Sequence, residues 1–295
     1  MYFHGYGGNG NSFINNGQAQ KFANKYNFVL ISANGLKGNF SEYNSWSFKG
    51  STDGLGQNGD VTSCVEYSGR PDYCSSTCDC LNECGWTHCL DDDVQFVHDF
   101  VVGDDTYTNS LLDIIPNFDT GQFFVMGSSN GGMFTWELGQ NPITAPLIRA
   151  MSPIIGTPHC DYNLPQAEGT SVPVLLLTGE NDDTVSPSNQ PWPGNPSDTC
   201  ITNRDGDFYN YISAHRITTT WAQGVEGCEV TNPNEFPPTQ FIVRLAPNDV
   251  LKCRTWCNVP GLRGHSYDCT MVGYGHQEPA FSYQAALFFF NRFKN

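Results

Sequence analysis

Ser129, Asp182 and His276 have the residue types, and the order along the chain, of a nucleophile, an orienting acid and a general base. A serine hydroxyl is a weak nucleophile until a histidine takes its proton. The histidine in turn needs a carboxylate to fix its tautomer and to stabilise its charged form. Ser129 lies in VMGSSNGGM, where Gly127, Ser129 and Gly131 satisfy G-x-S-x-G and the neighbouring Ser128 does not. The apolar run before it and FTWELGQ after it read as strand, sharp turn and helix, a layout that holds a serine exposed at a strained apex. With 30 glycines in the chain so short a pattern arises easily by chance, so the flanking elements carry the assignment.

The acid should stand just past a later strand, and the base after the last one. VPVLLLTG is a strand-sized apolar run ending in ENDDTV, which offers Asp182, with Asp183 and Glu180 as rivals. His276, in GYGHQEP, follows the last expected strand and precedes the closing helix, whereas its rival His265 in LRGHSYD comes before that strand. A developing oxyanion needs two N–H donors. The backbone N–H of Asn130, first after the nucleophile, is one candidate, and that of Tyr6 in HGYGG is the other. GYGGNG lacks the Lys-Ser/Thr pair of a phosphate-cradling loop.

Alternating elements must position these groups. Met1–His4 reads as a strand end, the region from about Ser12 to Lys25 as a helix, and NFVLISA at 27–33 as a second strand. Asp91–Val102 has helical spacing; LIRAMSPI at 147–154 and VPVLLLTG at 172–179 are strands. A Trp-containing helix is expected around Tyr209–Gln223, a strand at Gln240–Leu245, another in YDCTMVGY and a last helix at Phe281–Phe293. Strands alternating with helices predict an α/β fold, with a mostly parallel sheet covered on both faces and working residues at the carboxyl ends of its strands. Its 295 residues suit one domain spanning 1–295, with an irregular cysteine-dense insertion at about 50–90.

A net charge of −16 argues against nucleic acid or an anionic membrane surface as a partner, and no apolar run reaches a membrane-spanning length. Twelve cysteines, an even number, fit a disulfide framework made in an oxidising compartment and hence secretion. Asn39-Phe40-Ser41 is a glycosylation sequon compatible with that route. The opening MYFHGYGGNG has no signal-peptide pattern, so an amino-terminally truncated chain is expected.

HGYGGN, DDDVQFV, VMGSSNGGM, LLLTGENDDTV and YGHQEP resemble the corresponding blocks of secreted esterases of the polyhydroxybutyrate depolymerase-like and feruloyl esterase-like kind, related to carbohydrate esterase family one. The resemblance spans nearly the whole chain. It implies an α/β-hydrolase fold, here lacking its first strands, and a triad of Ser129, Asp182 and His276. It also implies oxyanion donors at the amides of Tyr6 and Asn130, and no metal or organic cofactor. The substrate implied is a carboxylic ester, either a polyester or a feruloyl or acetyl ester of plant polysaccharide; a monomer is expected. Trp221 and Cys228 in WAQGVEGC match the stretch that precedes the last strand in that family. If the fold follows the family, NFVLISA lacks an outer neighbour and exposes an apolar edge.

Cys64, Cys74, Cys78, Cys80, Cys84 and Cys89 lie in the insertion beside His88, but their spacing lacks paired C-x-x-C knuckles, which favours disulfides over zinc. Cys160, Cys200, Cys228, Cys253, Cys257 and Cys269 are expected to staple loops around the site, in a pairing the sequence leaves open. Trp46, Trp86, Trp192 and Trp256 either line a sugar or phenolic site or pack satellite cores. Two other functions fit the same features: a serine peptidase of this fold, and an inactive cysteine-stapled binding protein.

Overall fold

The computed structural model describes residues 1–37, 43–48, 93–103, 110–115, 117–160, 172–204, 209–224, 228–237, 239–257 and 266–294. The cysteine-rich insertion, its six cysteines, His88, Trp86, the sequon at 39–41 and His265 lie outside them.

Among the described residues a seven-stranded sheet forms the centre. Its strands are β1 (Tyr2–Phe3), β4 (Phe123–Ser128), β5 (Ile148–Ile154), β6 (Val174–Gly179), β9 (Thr239–Arg244), β10 (Val250–Thr255) and β11 (Ser266–Met271). Two-stranded ribbons of β2 (Leu36–Lys37) with β3 (Asn44–Ser45), and of β7 (Cys200–Thr202) with β8 (Asn210–Ile212), lie beside it. The order is β1-β4-β5-β6-β11-β10-β9, parallel from β1 to β11 and antiparallel in its last two pairings. β4 and β6 are buried at every position, as strands covered on both faces must be.

One face packs on α3 (Asp93–Val102), α5 (Asn130–Gln140) and α6 (Ala214–Gln223), through Phe134, Trp136 and Trp221. The other packs on α1 (Gly10–Ile14), α2 (Gly17–Tyr26) and α7 (Ala280–Asn291), through Phe13, Ala23 and Phe290. A short helix, α4 (Leu111–Ile114), follows α3 and is held by a capping box between Ser110 and Asp113. The expected mostly parallel α/β sheet with helices on both faces is therefore present.

Four local expectations are corrected. The single helix near 12–25 is two, because the Asn16 side chain accepts from the amides of Gln18 and Ala19 and starts a new helix there. NFVLISA is not a ladder strand. β1 is only two residues long, so the segment makes a lone bridge at Ser32, and Phe28 turns sideways onto Phe124 while Val29 stays exposed. The helix expected from Tyr209 begins at Ala214, after strand β8, where the Ser213 side chain caps it. Finally, β10 was not expected at all: Lys252 and Arg254 interrupt its apolar positions, but both are paired, with Glu180 and Asp268.

The six described cysteines pair as Cys160–Cys200, Cys228–Cys257 and Cys253–Cys269. The last joins directly opposed residues of β10 and β11, so it staples strands, not loops.

Candidate active site

The turn after β4 is built by exclusion. A Cβ on Gly127 would meet the Gly131 carbonyl oxygen at 2.2 Å, and one on Gly131 would meet that of Phe3 at 2.1 Å, so only glycine fits where strand, helix and β1 converge. Ser129 sits between them at φ 51°, ψ −118°, a conformation unfavourable for an L-residue. Its N–H donates to Ile154 O at 2.9 Å, which ties the apex to β5.

Asp182 follows β6 and is completely buried. Its Oδ1 accepts from the amides of Thr184 (3.0 Å) and Val185 (2.8 Å), leaving Oδ2 to take Nδ1 of His276 at 2.9 Å. The other ring nitrogen, Nε2, lies 2.9 Å from Ser129 Oγ. A carboxylate only accepts, so the proton sits on Nδ1 and Nε2 is the acceptor facing the serine hydroxyl. Three residues spread over 147 positions thus form one chain of hydrogen bonds at the carboxyl ends of β4, β6 and β11. The rivals are engaged elsewhere. Glu180 pairs with Lys252 at 2.7 Å, a bond that lowers its pKa, and Asp183 pairs with Arg204 at the surface. Burial pushes His159 down to about 4 and also lowers His215.

The HGYGG loop passes against Ser129: a Cβ on Gly5 would lie 3.2 Å from that of the serine. His4 anchors it, its Nε2 accepting from the Gly35 amide and its Nδ1 donating to Gly5 O, and burial lowers its pKa. Tyr6 is partly exposed, its ring tilted against Tyr43. Asn130 begins α5, so its backbone N–H is among those a helix leaves without an intrahelical acceptor. Its side chain is committed instead, accepting from Trp46 N (2.7 Å) and donating to Trp46 O (3.0 Å). Trp46 also donates to His4 O from its indole and stacks on Phe134. It is therefore core, and its role is to lock the loop to the helix start. No pattern in the sequence signals that role. Trp256 likewise packs a small satellite core and Trp192 covers Arg254, so neither Trp46 nor Trp256 is a lining residue.

A cleft of about 450 Å³ opens on Ser129 and His276 and runs past Tyr6 and Asn9 to Tyr2, Tyr283 and Glu278. Glu278 accepts from the Tyr2 hydroxyl at 2.8 Å on both oxygens, and its partial burial raises its pKa. Sequence inspection missed it, although it stands two residues after His276.

No protein-family model matches the sequence, and neither does any curated protein. Among solved structures, the acetyl xylan esterase from Aspergillus awamori is similar to this chain with a TM-score of 0.47 and 15% identity, over 99% of this chain and 88% of that one. A likeness that distant says nothing about the site, whose chemistry rests on its own geometry.

Proposed function

We propose that this protein is a serine hydrolase that cleaves carboxylic esters through an acyl-enzyme. The observation that carries this reading is the continuous chain Ser129 Oγ, His276 and Asp182, with both links at 2.9 Å. In the first step Ser129 Oγ bonds to the ester carbonyl carbon as its proton passes to His276 Nε2. The oxyanion is held by the amides of Tyr6 and Asn130, and Asp182 balances the imidazolium. Collapse breaks the ester C–O bond, and the departing alcohol takes the proton from His276. Water then attacks the acyl-serine, again giving its proton to His276, and the acid leaves as Ser129 is restored.

The substrates we infer are polyesters, or acetyl and feruloyl esters of plant polysaccharide. Secretion is part of the same reading and is supported by the three disulfides. The test is hydrolysis of p-nitrophenyl acetate, methyl ferulate and a peptide p-nitroanilide by the protein beside Ser129→Ala. Ester turnover should fall by at least about 10⁴-fold in the variant, with an unchanged circular dichroism spectrum. Cleavage of the anilide in preference to the esters would make it a peptidase, and turnover unaffected by the substitution would sink the catalytic role of Ser129.

A further inference from the structure

The triad needs one carboxylate, yet the cleft beside Ser129 holds a second. Glu278 lies between His276 and the start of α7, and residues of three separate elements surround its carboxyl group. Tyr2 of β1 donates to both of its oxygens at 2.8 Å, and Ser128 at the end of β4 and Tyr283 in the first turn of α7 stand beside it in the same cleft. All three are buried, and Tyr2 is itself wedged between Phe13 and Tyr283. Desolvating a carboxyl group is costly, and an apolar side chain would fill this floor without that cost. What a carboxylate adds is charge, and it adds it in the cleft into which Ser129 and His276 open.

We propose that Glu278 is a positioning residue that acts through His276, its fixed negative charge supporting the imidazolium formed at each proton transfer. This rests on the serine-hydrolase reading above. His276 passes from neutral to positive when it takes the serine proton, and in a partly dehydrated site a nearby carboxylate favours that change more strongly than it would in water. Asp182 holds the ring from the Nδ1 side, and Glu278 acts across the cleft without a bond to the ring. The groups that face Glu278 are Tyr2, Tyr283, Ser128 and His276, with His4 on the wall of the same cleft. Burial raises both tyrosines well above their ordinary range, so they stay neutral donors. His276 is then the one group facing Glu278 whose charge changes during turnover.

The test is Glu278→Gln in the full chain, which keeps the shape and an acceptor for Tyr2 but removes the charge. With p-nitrophenyl acetate, kcat should fall on the order of tenfold with KM little changed. The acid limb of kcat/KM should lie at lower pH in the variant than in the parent, because the imidazolium loses the support of the Glu278 charge. Glu278→Asp should recover part of kcat. Tyr2→Phe, which keeps the charge, should retain the parental limb. An unchanged kcat and limb in Glu278→Gln, or a loss of kcat with the parental limb, would overturn the proposal by leaving Glu278 a packing residue. If Ser129→Ala itself keeps turnover, the hydrolase reading has failed first. If Ser129→Ala is dead and Glu278→Gln is indistinguishable from the parent, only the Glu278 role has failed.

Discussion

Asp182 and Asp268 are both fully buried carboxylates, one in the turn after β6 and one within the neighbouring strand β11, and they are neutralised in different ways. Asp182 binds two backbone amides and a histidine that is itself partly exposed. Asp268 meets Arg254, whose Nε and terminal nitrogen reach the same oxygen at 2.7 and 2.6 Å, while Trp192 and Phe236 cover the guanidinium at 4.9 and 4.8 Å. An arginine keeps its charge at any ordinary pH and a histidine does not. In the proposed reading, the difference separates a carboxylate that serves turnover from one that closes a core. The disulfide Cys253–Cys269 next to the Arg254–Asp268 pair cross-links β10 to β11 and adds a covalent tie to the same part of the core.

Exchanging the two roles is the way to break that contrast. The largest effect is expected from Asp182→Asn, which keeps the shape but offers the Nδ1 side an N–H donor and so favours the wrong tautomer. Ester turnover should fall on the order of 10⁴-fold while the melting temperature moves by only a few degrees. A modest loss of rate would mean that the His276–Asp182 bond is structural. Next comes Arg254→Ala, which strands the Asp268 carboxylate and should cost about 3–5 kcal/mol in denaturant unfolding, with kcat of the folded protein retained. The Arg254→Met, Asp268→Leu pair sharpens this, because removing both charges should return most of that stability. If Arg254→Ala abolished turnover at unchanged stability, the Arg254–Asp268 pair would belong to the catalytic machinery.

What the sequence made legible follows the same division. The elbow could be read because its requirements are local: two glycines at fixed offsets, an apolar strand before them and a helix after. Asp182 and His276 could be read because each follows a strand on this type of sheet, even though 94 residues separate them. β10 could not, because its charged residues find their partners far along the chain, on β11 and in the turn after β6, and pairing of that kind leaves no trace in periodicity. Trp46 and Glu278 were illegible for a related reason. The first is defined by bonds to Asn130 and His4, and the second by Tyr2, 276 positions away.

The most direct measurement of the central claim is labelling of the folded protein with a fluorophosphonate, with the modified residue located by peptide mass spectrometry. The geometry predicts one equivalent of label, on Ser129, with the labelling rate collapsing in His276→Ala because no base remains to take the proton. Label distributed over other residues, or labelling of Ser129 that does not depend on His276, would contradict it.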